Sequence, residues 1–135
     1  MTQGISVADD VELRQLYARQ SHVIDGGDGP GWAGTYTVDG EFDSPSYGAP
    51  VRGRDALVAF IAGLGPMIGR MRHWPNNLWF EYAEGGSIVT RGYMFIVAVG
   101  DGPPKILRSS PFTDDVVREN GAWLVRRRVV RPDPQ

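Results

Sequence analysis

Residues 87–99, SIVTRGYMFIVAV, decide the fold. β-Branched and aromatic residues fill the run, EGG precedes it at 84–86 and GDGPP follows it at 100–104. Such a run between turn residues predicts a strand. Three companions flank it: RHWPNNLWFEYA at 72–83, KILRSSPFTDDVVR at 105–118 and, after the turn ENG, AWLVRRRVVRP at 122–132. Short turns between consecutive strands predict an antiparallel meander. Only the last residues, PDPQ, read as a loose tail.

Ahead of the strands the period changes. Residues 7–25, VADDVELRQLYARQSHVID, read as a helix, with Ser6 as its cap and acidic residues in the first turn. Leu13, Leu16, Tyr17, Gln20 and Ile24 fall on one face. DGGDGPG breaks the chain after Asp25, and a short turn of helix is expected around Trp32 to Tyr36. GEFDSP reads as a short strand ending at Pro45, YGAPVRG as a loop, and RDALVAFIAGL at 54–64 as a second long helix closed by Gly65 and Pro66. Helices first and strands afterwards predict α+β. The expected architecture is a cone-shaped curved antiparallel sheet with two to three helices on one face. It forms a single domain over 1–135, with its core at about 8–131.

Composition narrows the function. The chain has 135 residues, a formal net charge of −2 and no cysteine. That balance does not favour a nucleic-acid backbone, and thiolate chemistry is excluded. No apolar run nears the ~20 residues that cross a bilayer, and MTQGISVADD lacks the features of a secretion signal. A cytoplasmic protein without membrane or nucleic-acid partners is expected. Phosphate-loop, dinucleotide and HExxH motifs are absent, and DGGDG lacks the later ligands of a calcium loop. No metal or cofactor is expected.

Three stretches carry a resemblance: LYARQSHVIDGGD with Trp32, RHWPNNLWFE, and FTDDVVRENGAWLVRRRVV. Together they make the chain similar to the SnoaL-like branch of the nuclear transport factor 2-like superfamily. It looks most like the scytalone dehydratase and hexachlorocyclohexane dehydrochlorinase groups. In those, an aspartate at the end of the first helix supports a histidine base on the first long strand. The resemblance maps that aspartate onto Asp25 and that histidine onto His73, with Asn77 and Leu78 continuing the dehydrochlorinase pattern. Gln20 stands where that enzyme has a lysine, and Arg108 lies near its active-site arginine. Phe112 stands near an asparagine of the dehydratase, and the strand at 87–99 lacks that enzyme's second histidine.

Imidazole is the natural base near neutral pH. A carboxylate on one ring nitrogen fixes the tautomer and stabilises the imidazolium. The pair could take a proton from carbon next to a carbonyl or leaving group without a cofactor. The resemblance therefore implies a lyase of dehydratase type, or an isomerase or cyclase of polyketide- or steroid-like substrates, acting on a small apolar ring compound. Relatives form dimers or trimers, so a homo-oligomer is expected. A non-catalytic binding or assembly module is the rival from another class.

Each residue also has a plainer reading. His73 could be a satisfied structural histidine, and Asp25 the end of a helix before two glycines. Asp28 reads as a turn former. His22 lies about 140° around the helix from Tyr17, toward solvent. Tyr17 could donate to a substrate oxygen or belong to the core. Tyr47 sits in a loop able to cover the mouth, and Tyr36 and Tyr93 are weaker candidates. Asn77 shares strand parity with His73 unless Pro75 introduces a bulge. Arg91 and Arg108 interrupt apolar strands; an inward arginine would need a partner, which an oxyanion or acidic substrate could supply, while the plainer reading puts each on the outer face or in a subunit contact. Alternation puts Arg127 on the face of Trp123 and Val125, with a solvated face as the simpler reading of RRR at 126–128.

Overall fold

The computed structural model describes residues 4–134. The first helix, α1, spans Val7–Asp25, and its cap Ser6 accepts from the Asp9 amide at 3.1 Å. Its buried residues are Leu13, Leu16, Tyr17, Gln20 and Ile24, the face expected from their spacing. Gly27, at φ 72°, makes the turn that α1 cannot continue. The short helix α2, Gly29–Ala33, follows, and the Asp28 carboxylate accepts from the Gly31 amide at 2.8 Å. Strand β1 is Tyr36–Asp43, so it begins where a turn of helix was expected. Strand β2, Val51–Arg52, lies within the expected loop, and α3 covers Arg54–Ala62.

The four long strands are β3 (Met71–Tyr82), β4 (Ile88–Ala98), β5 (Lys105–Glu119) and β6 (Ala122–Val130). The sheet order is β2-β1-β6-β5-β4-β3. The meander is antiparallel as expected, but β1 joins β6 in parallel, so the sheet is mixed. That pairing joins segments far apart in sequence, and no local pattern announces it. The final residues are not loose as far as they are described: the Asp133 amide donates to the Ser109 carbonyl at 3.0 Å and its carboxylate accepts from the Ser109 hydroxyl at 2.8 Å. Gln135 and the first three residues of MTQGISVADD lie outside the described residues. Among the described residues no helix is long and apolar enough to cross a membrane.

Bulges decide which side chains enter the core. On β3 the register slips between Asn76 and Trp79, two residues against one opposite Gly92. Asn77, at φ 53°, carries the slip, because asparagine tolerates the left-handed region. Leu78 thereby turns inward beside Gly92, where a Cβ would lie 2.9 Å from Leu78 and from the Phe112 ring. A second slip on β6 leaves Arg126 without an opposite residue, since Asp115 pairs Arg127 while Val116 pairs Val125. Parity reverses there. Arg127 thus faces outward to Glu41 (2.6 Å), and Arg128 turns inward instead. This corrects the alternation read from the sequence.

Arg128 is 4% exposed and Asp114 is fully buried. Nε and Nη2 of Arg128 donate to the two Asp114 oxygens at 2.8 and 2.7 Å, and Nη2 also reaches Gln20 at 2.6 Å. The Tyr17 hydroxyl donates to Asp114 at 2.5 Å. Burial pulls the guanidinium pKa down, but the Asp114 carboxylate outweighs it and the net shift is upward. This cluster ties α1 to β5 and β6. Replacing Asp114 by Asn strands a buried cation and should lower the unfolding free energy by about 3–5 kcal/mol in urea titration. A loss below about 1 kcal/mol would contradict the pairing.

Candidate functional site

The helices close one side of the cone and leave a cavity between them and the sheet. The space between them totals about 730 Å³ when its open mouth and the adjoining solvent are counted. One wall is aromatic. Trp32 packs on Tyr36 at 4.9 Å, Phe42 at 5.6 Å and Phe60 at 5.8 Å between ring centroids. Tyr47 stands edge-on to Phe60 at 5.0 Å, half-exposed at the rim in the 3₁₀ turn Pro45–Tyr47. The sheet supplies Met94 and Ile96 from β4, and Arg108, Ser110 and Phe112 from β5. Arg128 forms part of the floor.

His73 lies at the rim, on β3, where the end of α1 meets the sheet. Asp25 is the last residue of α1. Its Oδ1 lies 2.7 Å from His73 Nδ1, and the two side chains are 13% and 14% exposed. The same carboxylate accepts the His73 backbone N–H, at 3.1 and 3.3 Å to its two oxygens. The main-chain bond places the strand, and the side-chain bond orients the ring. With Nδ1–H donating to Asp25, Nε2 is the free acceptor. It has no protein partner among the described residues. Beyond the imidazole a second, more open cleft holds Arg14, Tyr17, His22 and Leu78, and Ser21 and His73 border both spaces.

The other sequence candidates separate. Trp32, Tyr47 and Arg108 line the cavity. Tyr17 lines the outer cleft, and its hydroxyl is committed to Asp114. Burial, with the Asp114 charge, pushes its pKa well above the usual phenol value, so it remains a donor. Asn77 is exposed at its bulge, away from both spaces, because the slip breaks its parity with His73. Tyr93 is 49% exposed on the opposite face of the sheet. Arg91 is exposed and pairs with Glu81. His22 is exposed, as its helical position predicts.

Sequence reasoning missed Arg128 and the cluster that holds it. Arg128 lies over the Phe112 ring at 4.9 Å. Its Nη1 makes no hydrogen bond among the described residues, and the residue borders the cavity. The signal available was Asp114, which shares parity with Phe112 and Val116 and demanded an inward cation. Which arginine answered depended on the bulge. Among the described residues no group of three His, Asp or Glu side chains is placed to hold a metal ion.

The architecture is thus a curved half-cone of sheet with an apolar chamber under its helices and a carboxylate-held imidazole at the chamber's rim. The chain belongs to the SnoaL-like domain family, which matches residues 6–129. That family includes polyketide cyclases and related enzymes. Aln2 from a Streptomyces species is similar at 30% identity and a TM-score of 0.87, over 96% of this chain and 94% of that one. A protein from Catenulispora acidiphila, solved in complex with S-DNPA, is similar at 27% identity and a TM-score of 0.82, over 94% and 95%. An NTF2-like protein with a cystatin-like fold from Novosphingobium aromaticivorans matches at 23% identity and a TM-score of 0.82, over 92% and 81%, a likeness of fold alone. None of the curated proteins matches the chain.

The geometry fixes an expectation for the ring tautomer. In 15N spectra at a pH where the imidazole is neutral, His73 should be protonated at Nδ1. Replacing Asp25 by Ala should return it toward the Nε2–H form that free histidine favours. An unchanged tautomer in the variant would mean the carboxylate does not orient the ring.

Proposed function

We propose that this SnoaL-like protein is a cofactor-free lyase of dehydratase type. The observation that carries the reading is the 2.7 Å contact between Asp25 and His73 Nδ1, which leaves Nε2 free at the rim of an apolar cavity. His73 Nε2 takes a proton from the carbon beside a ring carbonyl. Asp25 stabilises the imidazolium that forms. The electron pair moves toward the carbonyl oxygen, and Arg128 Nη1 is the available donor to that oxygen. Collapse of the enolate expels the β-hydroxyl group, which takes the proton back from the imidazolium and leaves as water. The carbon skeleton gains a double bond and the base is regenerated. The aromatic wall favours a small, largely apolar cyclic substrate. The similar protein from Catenulispora acidiphila was solved in complex with S-DNPA, which supports small-molecule binding by a chain of this fold.

Isomerisation or cyclisation uses the same first proton transfer, so the same pair serves that second reading. A test substrate such as 3-hydroxy-1-tetralone separates them, because elimination removes one water while isomerisation leaves the mass unchanged. In the lyase, His73→Gln lowers kcat about 10²–10⁴-fold with an unaltered urea midpoint. Full activity in that variant would end the assignment of His73 as the base, and no turnover by the wild-type protein would favour a non-catalytic binding module.

Association into a dimer or trimer is part of the proposal. The outer face of the sheet carries Trp74, Trp79 and Tyr93, each about half exposed (50%, 59% and 49%). A patch of this kind suits a second copy. Sedimentation equilibrium should find an oligomer that Trp79→Glu weakens, and a monomeric wild-type protein would refute it.

A further inference from the structure

Arg108 is the one charge in the cavity wall with nothing to balance it among the described residues. Of the arginines without a carboxylate within 4.0 Å, Arg19, Arg52, Arg54 and Arg72 are exposed, whereas Arg108 is partly buried and lines the cavity. Arg128 also borders the cavity, but Asp114 neutralises it. No Asp or Glu lines the cavity. The chamber therefore holds an uncompensated guanidinium against an apolar surround. Partial burial without a counter-charge is costly unless a ligand supplies one. The planar fork of arginine fits a carboxylate in two parallel hydrogen bonds.

The sheet register sets where that group lies. His73 pairs Ile96 and Ile96 pairs Arg108, so base and guanidinium share one row across three strands. At ~4.8 Å per strand their backbones stand roughly 10 Å apart. Both side chains face the same chamber. We infer that Arg108 receives a carboxylate carried by the substrate, about one fused-ring width from the carbon on which His73 acts. The substrate class narrows from apolar ring compounds to cyclic acids. The inference deepens the lyase reading, but its test is a binding ratio that does not depend on turnover.

The probes are 2-naphthylacetate and its neutral isostere 2-naphthylacetamide, titrated calorimetrically into wild-type protein, Arg108→Met, Arg108→Lys and His73→Gln. The wild type should prefer the acid roughly ten- to a hundredfold, the range for a charge-assisted pair. Arg108→Met should bring the ratio near one by lowering acid affinity far more than amide affinity. Arg108→Lys, which keeps the charge but loses the fork, should fall between. His73→Gln should retain the wild-type preference, which excludes attraction by the imidazolium. Equal binding of acid and amide by the wild type, no binding of the acid, or an undiminished preference in Arg108→Met would each overturn the assignment. Loss of the lyase reading, seen as no turnover by the wild-type protein, would leave the ratio where it stands.

Discussion

The buried pair of Arg128 and Asp114 holds the rest of this structure in place. It joins neighbouring strands β5 and β6, and through Tyr17 and Gln20 it fixes the middle of α1 against them. A salt bridge in a dry interior tolerates little displacement, because each charge loses its compensation if the other moves. The angle between helix and sheet is thus constrained, and with it the width of the chamber above. Asp25 sits five residues beyond Gln20 on the same helix, so the anchor also sets where that carboxylate emerges.

Much of this was legible in the chain. The α1 limits, its buried face and the four long strands follow from periodicity and turn residues, which are local properties. The parallel seam between β1 and β6 was not legible, because it is a long-range pairing. Side-chain direction failed at two particular residues. Asn77 and Arg126 each add one position to a strand, and every alternation argument beyond them inverts. A bulge costs too little for sequence pattern alone to place it. Asp114 shares parity with Phe112 and Val116, but the arginine that meets it is set by the bulge and was not legible.

The candidate site divides in the same way. The separation of Asp25 and His73 in sequence carries no information, and only the family resemblance paired them. Their contact arises because a glycine turn ends α1 where β3 begins to pair. Arg108, by contrast, follows from simple alternation along β5, since no slip separates it from Ser110 and Phe112. Tyr17 was correctly placed on the inner face of its helix. Its hydroxyl is occupied because a deeper acid, invisible to local pattern, lies within reach.

The two bonds that Asp25 makes to His73 differ in kind. One holds an imidazole, and the other holds a peptide N–H that any residue at that position except proline would offer. The carboxylate would therefore keep its seat even if evolution exchanged the histidine. Such a descendant would inherit an intact socket beside an intact chamber. The side chain at position 73 can therefore change at a single codon without rebuilding the frame around it.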